Sequence, residues 1–223
     1  MALKPIKQEI KAAVDSAIFT VKDGKLMVLL IEMTKKPYEG FWALPGGLIE
    51  QKETTLEAAV RILEESTGVK NVYLEQLGTF DAIDRDPFAR TISVAHIALV
   101  PEKDVALQIG EKYADVRWWS IEKLPELAYD HKHIAHVALD RLRAKLEYTN
   151  IVWSLLPKEF TLTNLQAVYE IILGTEIDKR NFRRKILALK LLEDTGRLQA
   201  GEANRPAKLY RFKQRKLQYI DII

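Results

Sequence analysis

The apolar positions along this chain change period several times, and each change marks an element. Ile10 to Thr20 and Lys25 to Glu32 are rich in Val, Ile, Leu and Ala over strand-like lengths, with Asp23-Gly24 between them as a hairpin signal. Pro37 and Gly40 punctuate Lys35 to Trp42 as a loop, which leads into Ala43-Leu44-Pro45 and a glycine pair, Gly46-Gly47, expected to close a turn. From Thr54 the period becomes helical. Leu56, Ala59, Val60 and Leu63 predict an amphipathic helix to Thr67 with this stripe in the core, stopped by Gly68. Strands resume at Val72 to Phe80 and Thr91 to Val100 across the loop Ile83-Asp84-Arg85-Asp86-Pro87, and a further strand ends in Val116-Arg117-Trp118-Trp119. Asp130 is placed to cap a helix from His131 to about Glu147, with Leu139, Leu142 and Leu146 inward and Arg141, Arg143 and Lys145 outside.

Near Asn150 the character shifts, which divides the chain into residues 1–150 and 151–223. Thr163 is a plausible N-cap for a helix over Asn164 to Leu173, with Leu165, Val168, Tyr169 and Ile172 as its core face and Gly174 as its end. Asp178 then opens a second helix, in which Phe182, Ile186 and Leu189 form the buried stripe. Two strands at Gly196 to Gln199 and Lys208 to Phe212 flank Ala200 to Ala207. Helix, short turn, helix and hairpin make a winged helix with the second helix as reader.

Charge sharpens this division. Residues 151–223 hold fourteen Lys+Arg against eight Asp+Glu, leaving 20 against 23 for residues 1–150 within an overall net charge of +3. Between residues 179 and 216 there are thirteen basic and three acidic positions. A solvated charged helix would account for Lys179, Arg180, Asn181, Arg183, Arg184 and Lys185, but not for the additional cations Arg205, Lys208 and Arg211 on the wing. The pattern favours double-stranded DNA as partner. The chain has no cysteine, which excludes disulfides, thiolate metal sites and cysteine nucleophiles. No apolar run approaches membrane-spanning length and Met1 to Ile10 has no hydrophobic signal core, so no membrane partner and a cytoplasmic location are expected. His131, His133 and His136 do not share one helix face, which argues against zinc.

The first helix carries candidate chemistry. Positions 62, 65 and 66 are spaced to project together, where three carboxylates would suit a hard cation such as magnesium; the residues are Ile62, Glu65 and Ser66. The stretch resembles a Nudix box, G-x5-E-x7-R-E-U-x-E-E-x-G-U with U aliphatic, through Gly47, Glu53, Arg61, Leu63, Glu65, Gly68 and Val69. Ile62 and Ser66 replace two of the glutamates. The resemblance implies an α/β fold, a Nudix α/β/α sandwich, and assigns the Gly46 carbonyl to metal binding in active members. The two departures fall on positions that resemble the family's magnesium ligands and catalytic carboxylate and count against hydrolysis, so the expectation is a vestigial box with no catalytic residue, no required cofactor and no metal unless Glu65 retains one. Magnesium would be needed only by a hydrolase.

Asp84-Arg85-Asp86-Pro87 with Arg90 to Ala95, ahead of a winged helix, is similar to a subgroup of Nudix-related bacterial transcriptional regulators of NAD and pentose metabolism. That resemblance implies a small-molecule effector of the ADP-ribose type, held among Gly46, Gly47, Arg61, Glu65 and Arg85, and a homodimer on palindromic DNA. Arg85 could meet a diphosphate bidentately, or could pair with Asp84 and Asp86 on a turn surface. Three functions follow: a ligand-responsive regulator; a magnesium-dependent hydrolase of ADP-ribose using a shifted set among Glu53, Glu57, Glu64 and Glu65; or a module whose winged helix recruits protein.

Overall fold

A computed structural model describes residues 9–70, 73–107, 113–199 and 206–220. Strand β1 (Lys11–Lys22) runs through the middle of a 7-stranded sheet and is buried from Ala13 to Thr20, which explains its nearly continuous apolar run. Asp23 and Gly24 both adopt positive φ (49° and 71°) and turn the chain into β2 (Lys25–Met33). β2 pairs with the short β3 (Trp42–Ala43), and β4 (Gly46–Leu48) pairs back onto β1. The glycine pair is therefore extended strand rather than the expected turn. At Gly46 the lack of a side chain serves close approach to β1, and neither glycine has positive φ.

Helix α1 (Thr55–Thr67) begins with a reciprocal capping box between Thr54 and Glu57 and ends at Gly68 with φ 68°. Next come β5 (Tyr73–Phe80), with Val72 outside the described residues, and β6 (Thr91–Leu99), which lies parallel to β1. β7 (Tyr113–Ser120) closes the sheet on β2. Alternate residues of β1 serve opposite layers: Val14 and Ile18 join clusters with residues of α1, while Ala17 and Phe19 pack with Ile134, Leu142 and Leu146 of α2 (His131–Tyr148). This is an α/β/α sandwich. The core face of α1 differs from expectation. Ala58, Ala59, Ile62, Leu63, Ser66 and Thr67 are buried, whereas Leu56 and Val60 are 52% and 39% exposed. The buried stripe is rotated toward small residues, because β1 and β4 approach the helix closely on that side.

Three details of α2 and its successor also differ. Asp130 occupies the N-cap position of α2 but makes no side-chain cap bond, being committed to Arg85. Lys145 is buried rather than outward, in an ion pair of 2.7 Å with Glu75 of β5. Helix α3 (Leu162–Leu173) is capped by Thr161, whose hydroxyl accepts from the Asn164 amide at 3.0 Å, and not by Thr163. Asn164, three residues after Thr161, completes the reciprocal bond, its Oδ1 accepting from the Thr161 amide at 3.1 Å.

Helix α4 (Lys179–Ala188) is capped by Asp178, and β8 (Leu192–Leu198) pairs antiparallel with β9 (Lys208–Phe212). Backbone bonds between Phe160 and Tyr210 add a third edge to this hairpin. A winged helix results. Its core merges with that of the sandwich: Leu142, Leu146, Ile151, Leu165, Tyr169, Ile172 and Phe182 belong to one buried cluster with Phe19 and Leu30. The chain's last described residues fold back onto the junction, where the Asn150 side chain meets the Lys216 carbonyl and the Gln218 amide.

Candidate functional site

A cavity of about 560 Å³ opens beside β1 and β4. Its floor is a polar cluster inside an otherwise apolar layer. Asp15 points from β1 to the α2 side of the sheet, where its Oδ2 accepts from Ser93 Oγ at 2.6 Å and Arg85 Nη2 at 3.0 Å. Arg85 also donates to both oxygens of Asp130, from Nε at 3.0 Å and Nη2 at 2.7 Å. The His131 Nδ1 accepts the Leu44 amide at 2.9 Å, so the ring's proton sits on Nε2, 3.3 Å from Asp15 Oδ1. Burial alone would push the Asp15 carboxyl up, but His131, Ser93 and Arg85 together hold it far below the usual carboxylate range. Two carboxylates thus share one guanidinium, over which Lys11, Lys35, Tyr129 and Phe88 complete the walls.

Gly46, Gly47 and Arg85, expected to contact an effector, all line this cavity. Arg61 and Glu65 are not among its lining residues. Arg61 grips Glu53 bidentately, with Nη2–Oε1 2.6 Å and Nε–Oε2 3.0 Å, and lies 3.6 Å from Glu65. Hydrogen bonding from Arg61, then from the Glu50 amide, lowers the Glu53 carboxyl below its ordinary value. This part of the box braces the loop before α1. Arg85 pairs with neither Asp84 nor Asp86, so the local surface pairing is replaced by a buried, long-range one. The sequence reads Asp130 only as a helix cap and His131 only as a zinc ligand to be set aside, and gives Asp15 no role; the signal available for Asp15 is a charge inside the apolar run of β1.

The residues of the box do not fit magnesium. Ile62 packs with Val14 and Ala58, and Ser66 Oγ donates to the Ile62 carbonyl at 2.7 Å; both turn inward while Glu65 is exposed. Positions 62 and 66 therefore offer no carboxylate beside Glu65. Tyr113 donates to the Gly46 carbonyl at 3.3 Å, the oxygen that the box would otherwise offer to a metal. The alternative carboxylates are engaged elsewhere: Glu57 caps Thr54, Glu64 pairs with Lys70 at 3.2 Å, and Glu53 is held by Arg61. Among the described residues no group of three His, Cys, Asp or Glu is arranged to hold a metal ion.

A second functional surface lies on the winged helix. Lys179, Arg180, Asn181, Arg184 and Lys185 of α4 are exposed, and Arg184 Nη2 donates to Asn181 Oδ1 at 3.0 Å. Arg183 instead turns toward α3, donating to Thr163 Oγ1 at 3.2 Å, which makes it a tether between the two helices. On the wing Lys208 pairs with Asp194 at 2.8 Å and Arg211 with Glu193 at 2.9 Å. Such exposed pairs are weak and exchange readily for phosphate. Arg205 lies outside the described residues. No described helix is long and apolar enough to cross a membrane.

Comparison with known proteins agrees with this architecture. The NUDIX domain family matches residues 11–140, and the NrtR DNA-binding winged helix domain matches residues 152–212. The chain is 39% identical over 203 residues to a protein of Acinetobacter baylyi named ADPR responsive transcriptional repressor NtrR, covering 89% of this chain and 80% of that one. Among solved structures, Shewanella oneidensis NrtR complexed with a 27mer DNA superposes with a TM-score of 0.81 at 36% identity, covering 91% and 93% of the two chains. The NUDIX domain of that protein complexed with ADP ribose matches at TM-score 0.55 and 33% identity, over 61% of this chain and 90% of that one.

Proposed function

Because the chain belongs to the Nudix family and carries the NrtR DNA-binding winged helix domain, we propose that it is a DNA-binding transcriptional regulator whose Nudix domain receives ADP-ribose or a related nucleotide sugar. The observation that carries this reading is the inward packing of Ile62 and Ser66, in the same chain as an exposed basic reader helix. The first removes the acid chemistry of hydrolysis while keeping a cavity large enough for a nucleotide. The second supplies a surface for duplex phosphates.

The regulator works in the cytoplasm on genes of NAD or pentose metabolism. It binds a palindromic operator as a homodimer, because a two-fold operator presents the same half-site twice. Effector binding needs no magnesium: Lys11 and Lys35 in the cavity wall supply positive charge without a metal. The decisive experiment titrates promoter DNA with the full chain, with and without ADP-ribose. Effector-dependent change in DNA affinity supports the reading, and unchanged affinity at saturating ADP-ribose overturns it.

The second reading is a magnesium-dependent hydrolase splitting ADP-ribose to AMP and ribose 5-phosphate. Its support is the survival of Glu53, Arg61 and Glu65 in register. It requires a carboxylate set able to neutralise the diphosphate and orient water. Brisk magnesium-dependent release of AMP by the purified chain would establish it.

A further inference from the structure

Helix α2 touches both functional surfaces. Its first residue His131 lines the cavity, and its N-cap residue Asp130 holds Arg85, which lines the cavity too. Roughly 20 Å further along, at 1.5 Å per residue, Arg143 Nε donates to the Ile172 carbonyl at 2.9 Å. Ile172 lies in the last turn of α3, where carbonyls lack intrahelical partners and the helix end carries partial negative charge. Arg143 is therefore the cation that closes the first helix of the DNA-binding motif. α3 passes its position to the reader helix through the Tyr169–Phe182 ring contact, with centroids 5.3 Å apart. A cavity of about 300 Å³ between Leu146 of α2 and Tyr169, Phe182 and Ile186 leaves space for α2 to shift against α4.

We infer that Asp130 is a two-position switch at the head of α2, held by Arg85 in this structure and freed to the amides of α2 when an effector diphosphate engages Arg85, with Arg143 transmitting the shift to α3. This rests on the regulator reading above. A phosphate brought to Arg85 would share that guanidinium with two carboxylates, and like charges in a buried site exclude one another. Asp15 cannot yield, being held by Ser93 and His131 with its side chain 7% exposed. Asp130 can: its side chain is 18% exposed and has no other side-chain partner among the described residues. It already stands at the N-cap, where a freed carboxylate can accept from the Lys132 amide, the second of the helix; the His133 amide already donates to the Asp130 carbonyl at 2.9 Å. One carboxylate thus has two mutually exclusive uses, and the effector decides between them.

The test measures ADP-ribose affinity, promoter-DNA affinity and the effect of each on the other, in the full chain and in Arg143→Met. The wild-type coupling is expected to be about tenfold and equal in both directions. Arg143→Met is expected to keep each separate affinity within about twofold while coupling collapses toward one; Arg143→Lys, which retains a cation at the helix end, restores part of it. Full coupling in Arg143→Met would overturn the relay while leaving the regulator reading intact. Absence of ADP-ribose binding in the wild type would instead remove the functional reading. Should Arg143→Met fail to fold, Asp130→Asn provides the second measurement, read only as the ratio of DNA affinities with and without saturating ADP-ribose: a ratio near one supports the switch, and a ratio equal to that of the wild type overturns it.

Discussion

The backbone of Gly46 lies against the Asp15 carboxylate so closely that a Cβ there would sit 2.3 Å from Oδ1 and 2.8 Å from the Val14 carbonyl. Gly47, one residue on, has Ile62 Cδ1 at 3.8 Å as its nearest such neighbour. Adjacent glycines thus carry different constraints. Gly46→Ala is expected to destabilise the fold by about 1–3 kcal/mol and to disturb the cavity floor, while Gly47→Ala fits in ordinary contact. Chemical denaturation of the two variants checks the contrast, which equal stabilities would contradict.

Asp15 also sets an acid limit. Its folded-state carboxyl is held far below the ordinary value, so its contribution is complete above the unfolded value near ~4 and is lost as pH falls toward the folded one. Asp15→Asn should flatten the decline in unfolding free energy between pH 7 and pH 3. At pH 7 it should cost about 3 kcal/mol or more, because Arg85 loses part of its buried counter-charge. Urea titrations at the two pH values measure both effects.

Restoring the box has a price set by packing. Ile62→Glu with Ser66→Glu places carboxyls in the layer of Val14 and Ala58, and should destabilise the magnesium-free protein by about 2–4 kcal/mol. Magnesium should raise the melting temperature of this double variant but not of the wild type. A wild type stabilised by magnesium would mean that the native box still holds metal.

On the reader helix, Arg180→Ala with Arg184→Ala should weaken DNA binding and flatten the slope of log K against log salt by about 0.9 per phosphate contact removed, leaving ADP-ribose affinity unchanged. Arg183→Ala should act differently, loosening α4 from Thr163 of α3 and lowering thermal stability. Anisotropy titrations at several salt concentrations, beside thermal melts, separate the two.

Local chemistry was legible in sequence wherever a residue's partner lies a few positions away. The Asp23-Gly24 turn, the Gly68 cap, the register of the box and the helix opened by Asp178 all follow from neighbours. The orientation of α1 did not. Leu56 and Val60 satisfy the helical period as well as Ala58 and Ile62 do, and only the close approach of β1 and β4 selects the small residues. The polar floor was hidden for another reason: Arg85 meets Asp15 across a sequence separation of 70 and Asp130 across 45. Periodicity carries no information about such pairs. The same applies to Lys145, whose burial depends on Glu75 in a distant strand.

The shared core and the returning C-terminal segment bear on how such proteins can be rebuilt. A reader moved alone onto another sensor would leave behind the helix whose arginine closes α3, together with the apolar surface beneath Leu165 and Ile172. A tag or cut after residue 215 would strip Lys216 and Gln218 from Asn150, at the junction itself. The natural cassette for transplantation therefore runs from His131 to the tail rather than from the start of the winged helix.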